Sequence, residues 1–177
     1  MDIIFISELK LDVLIGMVIL ATSMLFWWPL AQLIHLAQVG SDDVVLDVGC
    51  ATGYSTAVLA QVAARVIGLE PEPELAEAAR ANLAGIGLHN AEIVSGPLAE
   101  GWAPAAPYDA IVVSAVAPEV PVALGEQLAE GGRLVIPVAS SYSDDVVLYR
   151  KVNGVLKRSK LVSPARFVPL VREERSE

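Results

Sequence analysis

A single cysteine, Cys50, stands in a chain of 177 residues, so an intramolecular disulfide is excluded. Two histidines, His35 and His89, are the only others of their kind, and with one thiol they do not compose an ordinary zinc site. Neither a Ser-His-Asp nor a Cys-His nucleophile system can be read from so few candidates. Chemistry must therefore come from a bound cofactor or from positioned backbone, with no resident metal expected. Positive charge is scarce as well: 12 Lys and Arg stand against 21 Asp and Glu, a net charge of −9. A general nucleic-acid binder needs a basic patch to neutralise phosphates, so nucleic acid is not an expected partner. The one basic cluster, Arg150, Lys151, Lys157, Arg158 and Lys160, reads as the charged edge of a hairpin, where like charge discourages aggregation.

Charge is missing altogether from 13–34, a run long enough to cross a bilayer as a helix. Pro29 interrupts it, and the next Lys or Arg is Arg65, so Lys10 alone would orient it. A secretory signal does not fit, because the first ten residues are not basic and no small-residue cleavage site stands out. Leu30, Leu33, Ile34 and Ala37 follow helical spacing, which favours a helix packed on the main domain. A membrane anchor through 13–34 and a start-site or frame artefact are the alternatives. Trp27 and Trp28 suit either an interfacial belt or a core. The expected organisation is an atypical apolar segment over 1–29, one domain over 30–171, and a charged tail over 172–177.

From Ser41 onward strand and helix signals alternate. Apolar runs predict strands over 44–48, 66–69, 91–94, 110–113 and 133–138. Helices are expected over 54–62, from Pro73 with Gly85 as C-cap, and over 120–128, the last followed by a turn at Glu130-Gly131-Gly132. Leu75, Ala78, Ala79 and Leu83 form the expected apolar stripe of the second helix. Runs over 146–151 and 155–162 flank Asn153-Gly154, a strong signal for a tight hairpin. The expected class is α/β: an open, mostly parallel seven-stranded sheet with helices on both faces and an antiparallel strand near one edge. A hydrophobic fraction of 54% suits a sheet covered on both sides.

The first strand runs into Asp47-Val48-Gly49-Cys50-Ala51-Thr52-Gly53-Tyr54 and then a helix. Ligands of open parallel sheets bind outside the carboxyl ends of the strands. Glycine at 49 and 53 lets backbone turn sharply and approach a ligand. The second strand closes on Glu70, whose carboxylate can accept two hydrogen bonds from a ribose diol. A dinucleotide fingerprint would need glycine at 49, 51 and 54, but Ala51 and Tyr54 stand there, so the spacing indicates a nucleoside site of another kind. A plain strand-to-helix turn with an incidental acid is the bland alternative. Cys50 reads as a small residue lining the pocket in preference to a reactive thiol, and Asp109 as a turn residue at a strand start.

The stretch from about Leu33 to Val171 resembles the protein-L-isoaspartate O-methyltransferases within the S-adenosylmethionine-dependent superfamily. The resemblance lies in Val45-Leu46-Asp47-Val48-Gly49 with Gly53-Tyr54-Ser55-Thr56, in Ala106-Pro107-Tyr108-Asp109, in Ala117-Pro118-Glu119-Val120-Pro121, and in Gly131-Gly132-Arg133-Leu134-Val135-Ile136-Pro137-Val138. Gly101-Trp102 and Arg166-Phe167-Val168-Pro169-Leu170 point to this family in particular. The resemblance implies an S-adenosylmethionine cofactor held by Asp47, Gly49, Cys50, Ala51, Gly53, Glu70, Gly96, Pro97 and Leu98. Glu70 would take the ribose, and Gly96 with its neighbours the adenine. Val168 and Pro169 would lie against a damaged protein or peptide substrate. It implies methyl transfer to an L-isoaspartyl carboxylate, for which no protein base need be named, and a cytoplasmic enzyme of protein repair. Three departures stand out, the mildest being Ala51 in place of a common glycine. Pro97 occupies a position where the family commonly has an acid that accepts from the adenine amino group. The residues before Leu30, Met24-Leu25-Phe26-Trp27-Trp28-Pro29, lack the family's serine-containing loop. A methyltransferase for another substrate and an impaired cofactor-binding remnant are the alternative readings.

Overall fold

In the computed structural model the described residues are 33–139, 144–165 and 168–170. The chain divides into two compact units, Met1–Gln32 and Leu33–Glu177. The expectations for 1–29, for most of the 13–34 run and for the 172–177 tail lie outside the described residues. Residues 33–37 are helical, with Leu33, Leu36 and Ala37 buried, so the end of that run packs in the core as its spacing predicts. Among the described residues no helix is long and apolar enough to cross a membrane.

Seven strands build the sheet. They are β1 (Val44–Val48), β2 (Arg65–Leu69), β3 (Ala91–Val94), β4 (Tyr108–Val113), β6 (Leu128–Ala139), β7 (Asp144–Val152) and β8 (Val155–Ala165), in the spatial order β3-β2-β1-β4-β6-β7-β8. The pairs from β3 to β6 are parallel, and β7 runs antiparallel between β6 and β8. That is the expected class, with its reversed strand one place from the edge. β1 and β2 are almost wholly buried, as central parallel strands covered on both faces must be. A two-stranded parallel piece, β5 (Ala115–Val116) with β9 (Val168–Pro169), continues from the end of β4.

The helices are α1 (Tyr54–Ala60), α2 (Pro73–Gly85) and α3 (Val122–Glu126). One face of the sheet buries Val45, Val66, Val112 and Val135 against residues 33–37 and α1, with Ile93 meeting α2 beyond them. The other buries Leu46, Ile67, Ile111 and Leu134 against Leu124 of α3 and the loop that follows β3. The alternation of a pleated strand sorts these residues between the two faces.

The structure corrects several boundaries. α2 runs through Gly85, and Gly87 takes the left-handed turn at φ +70°, which glycine adopts without a Cβ clash. Its buried stripe is Ala76, Ala79 and Leu83: Ala79 and Leu83 lie where expected, while Leu75 is exposed, Ala78 is half-buried and Ala76 takes the inward place. α3 is shorter than 120–128, because Pro121 stands before its first turn and Leu128 is captured by the sheet opposite Tyr108. Glu130-Gly131-Gly132 is a bulge inside β6 and not a turn before it: Tyr108 pairs with Leu128, and Ala110 pairs with Arg133. A Cβ on Gly132 would stand 2.8 Å from the Ala129 carbonyl oxygen, so the bulge requires glycine there. Asn153 and Gly154 both have positive φ, the backbone of a type I′ hairpin.

Candidate functional site

The predicted site residues gather where β1, β2 and β3 end. Gly49 leaves β1 at φ +81°, and its N–H, with that of Cys50, donates to the Leu69 carbonyl at 2.9 and 3.2 Å. The loop thus crosses the end of β2 and brings Ala51 to Glu70. Glu70 is 5% exposed; its Oε2 accepts the Ala51 N–H at 2.8 Å and its Oε1 the Glu72 N–H at 3.2 Å. Each carboxylate oxygen keeps a further acceptor position. Ala51 itself lies at φ +48°, a conformation that L side chains rarely adopt, held by that hydrogen bond.

Asp47 is fully buried on the α1 face of β1. Its Oδ2 accepts both helix hydroxyls, Ser55 Oγ and Thr56 Oγ1, each at 2.6 Å. Its Oδ1 is buried without a hydrogen-bond partner. Burial pushes the carboxyl up to about 6, helped by the Glu70 charge, with the two hydroxyls pulling the other way. Ser114, just beyond β4, donates its N–H to the Val48 carbonyl at 2.9 Å, while its Oγ is likewise buried and unpartnered. Among the described residues the third such atom is Arg133 Nε, far along the sheet, on a guanidinium already paired with Asp43. Two orphaned polar atoms at the strand ends mark a place built for further polar contacts.

The remaining residues divide by what surrounds them. Gly49 faces Leu98: a Cβ there would stand 3.8 Å from Leu98 Cδ1, so 96–98 forms a wall beside the corner. Gly96 lies against Leu69 and the Trp102 ring, and Pro97 leads into the 3-10 turn Leu98–Glu100. Gly53 has a packing reason for its identity, since a Cβ would meet Ala79 Cβ at 3.1 Å and Ala79 Cα at 3.3 Å. The Cys50 side chain packs with Ala76, Ala79 and Ile93 in the α2 core, and burial with the nearby Asp47 carboxylate pushes its thiol up to about 12. The thiol stays protonated, and its packing in that core leaves the main chain of Cys50 to border the corner. Asp109 lies inside β4 and not in a turn; its carboxylate accepts the Val44 N–H of the neighbouring β1 at 2.9 Å. His35 and His89 are exposed. The backbone of Val168 and Pro169 runs beside Ala115 and Val116, and the Leu170 N–H donates to Val116 at 2.7 Å, which brings this late segment to the end of β4.

Sequence reasoning missed Ser55, Thr56, Gly68, Ser114 and Gln127. Gly68 is obligatory in mid-strand, where a Cβ would stand 2.6 Å from both Ile93 Cδ1 and Thr56 Oγ1. The i+8 and i+9 spacing of Asp47 to Ser55 and Thr56 was a legible signal; Ser114 and Gln127 carried none.

The sequence profile of the family described as protein-L-isoaspartate(D-aspartate) O-methyltransferase matches residues 13–175. The chain belongs to that family. A protein-L-isoaspartate O-methyltransferase of Koribacter versatilis is 45% identical over 141 residues, covering 80% of this chain and 63% of the relative. One from Methanoregula boonei is 40% identical over 141 residues, covering 80% and 64%. The chain therefore spans under two thirds of the length of these relatives. A solved protein-L-isoaspartate O-methyltransferase aligns with a TM-score of 0.74 at 28% identity, covering 79% of this chain and 45% of that one. A Plasmodium falciparum structure, described as a beta-aspartate methyltransferase (PCMT) in complex with S-adenosyl-L-homocysteine, aligns with a TM-score of 0.67 at 26% identity, covering 81% and 72%. Family membership agrees with the seven-stranded sheet and with the motifs of the glycine corner.

Proposed function

We propose that this chain binds S-adenosylmethionine at the glycine corner and transfers its methyl group to an isoaspartyl carboxylate of a damaged protein or peptide. The observation that carries this reading is the corner itself. Glu70 accepts the Ala51 N–H beside a backbone bent open at Gly49, and the buried Asp47 Oδ1 two residues earlier has no partner, in a chain whose family acts on isoaspartate by name. The residues fit the cofactor. Glu70 would hold the ribose diol on its remaining acceptor positions, and the wall of Gly96, Pro97 and Leu98 would cover the adenine. Gly49, Ala51 and the neighbouring main chain, including that of Cys50 and Gly53, would line the methionine part. Asp47 would anchor the corner from below and offer Oδ1 to a donor.

When bound, the cofactor supplies an electrophilic methyl on a sulfonium. A carboxylate substrate, with an ordinary pKa of about 4, is ionised near neutrality and needs no protein base to accept it. The chain's own work is alignment and exclusion of water. β5 and β9 supply a parallel backbone pair at the end of β4, and Val168 and Pro169 on it are the residues we assign to the peptide. The cytoplasm is the compartment we assign, where cofactor and ageing proteins meet. The acidic balance supports a protein substrate over nucleic acid. The test is calorimetry with S-adenosylhomocysteine, followed by radiolabelled methyl transfer to an isoaspartyl peptide and its aspartyl counterpart. Binding with transfer to the isoaspartyl peptide alone is the expected result. Binding without transfer would leave a cofactor-binding protein with another substrate or none, and no binding would overturn the reading.

A further inference from the structure

The wall beside the corner is held from a distant part of the chain. Gln127, just past α3, is 9% exposed and spends its side-chain amide on the loop after β3. Its Oε1 accepts the Trp102 N–H at 2.8 Å, and its Nε2 donates to the Glu100 carbonyl at 2.7 Å. Its own backbone carbonyl accepts the Tyr108 N–H at 2.9 Å, and the Tyr108 hydroxyl donates to the Trp102 carbonyl at 2.6 Å. Burial pushes the Tyr108 phenol up to about 12, so it remains a donor. Trp102 is thus gripped at its N–H by one residue and at its C=O by another. Gly101, between the two peptides that Gln127 bridges, sits at φ +64°; a Cβ there would stand 2.6 Å from Gln127 Oε1 and 2.9 Å from Leu124 Cδ2. The glycine is what allows the amide so close. The same loop carries Leu98 to the Gly49 corner and stacks the Trp102 ring beside Gly96.

We propose that Gln127 is a positioning residue: by clamping Glu100 and Trp102 it fixes the wall over 96–98 and so sets the affinity for the adenosyl half of the ligand without touching it. The inference rests on the cofactor reading above. A wall that is correctly placed for only part of the time weakens apparent binding by that fraction, and leaves the bound complex as it was.

The experiment uses Gln127→Leu, which loses both hydrogen bonds at similar volume, and Gln127→Glu, which keeps the acceptor for Trp102 and loses the donor to Glu100. For Gln127→Leu the expected result is a rise of about tenfold or more in the S-adenosylhomocysteine Kd and in the S-adenosylmethionine KM. Turnover at saturating cofactor and the KM for the isoaspartyl peptide should stay within about twofold. Gln127→Glu, whose second oxygen would face the Glu100 carbonyl, should raise the same two constants with turnover at saturating cofactor unchanged, and it carries the test should the leucine variant fail to fold. Hydrogen exchange should quicken at the amides of 98–102 and stay unchanged at 49–53. A wild type that binds no S-adenosylhomocysteine overturns the cofactor reading and the inference together. A binding wild type whose variants bind equally well, or lose turnover at unchanged cofactor KM, overturns the inference alone.

Discussion

The two ends of the sheet are built to different rules. At the amino ends of the strands most polar groups find partners within the fold, and Arg133 Nε is the buried exception there among the described residues. Asp43 accepts from Gly40 and pairs with Arg133, Asp109 caps the Val44 N–H, and Asn90 donates to the Ala60 and Ala63 carbonyls. Glu130 accepts both amides of the Asn153-Gly154 turn. At the carboxyl ends, two buried polar atoms lack partners, Asp47 Oδ1 and Ser114 Oγ, and Gly49 and Ala51 hold positive φ. The amino end spends most of its polar groups on the fold; the carboxyl end leaves two buried oxygens to spare. A buried unsatisfied group costs about 1–3 kcal/mol, so leaving two at one end is a cost that a bound ligand would offset.

The largest effect should come from Asp47. Its folded value, about 6, lies above the ordinary 3.8. Its stabilising contribution is therefore present in acid, below the unfolded value, and is lost as pH rises through about 6. Asp47→Asn does not titrate. Between about pH 4 and about pH 7 the variant should gain on wild type by as much as about 3 kcal/mol, read from urea melts. A difference that stays flat with pH would remove Asp47 from the comparison. Next, Glu70→Ala should weaken S-adenosylhomocysteine binding about a hundredfold, the worth of charged hydrogen bonds to a diol, by calorimetry. The amino end should respond in the opposite sense. Asp43→Ala breaks a pair whose side chains are 18% and 17% exposed, so it should cost about 2 kcal/mol of stability, less than a fully buried pair, and leave ligand affinity unchanged. Weakened ligand binding by this variant would erase the distinction between the two ends. The smallest effect belongs to Ser114→Ala. No hydrogen bond of the folded chain is lost and a buried unsatisfied hydroxyl is removed, so stability should rise, by about 1 kcal/mol. Methyl transfer should fall about fivefold, the worth of one hydrogen bond made only to a ligand.

What could be read in the sequence follows the range of the forces concerned. The strands were legible because burial on both faces leaves unbroken apolar runs, and the hairpin because two positive φ values demand Asn-Gly. The glycine corner and Glu70 were legible because they sit at fixed spacing along the chain. The bulge in β6 was not, since the pairing of Leu128 with Tyr108 is decided across the sheet. Nor were the reasons behind individual glycines: Gly53 and Gly68 answer to Ala79, Ile93 and Thr56, which local sequence does not bring together. Gln127 was invisible for the same reason, because its partners lie 25 and 27 residues away.

The reversal of β7 has a consequence for the order in which the molecule can be completed. Because that strand doubles back, β8 runs toward the carboxyl edge of the sheet and delivers β9 beside Ala115 and Val116. A chain emerging from the ribosome would have its glycine corner in hand once β1 to β4 have paired. The flank that β9 supplies would have to wait for the hairpin to fold. Vectorial synthesis therefore separates the two features in time: the glycine corner can form before the hairpin does, and the β5–β9 pair only after it.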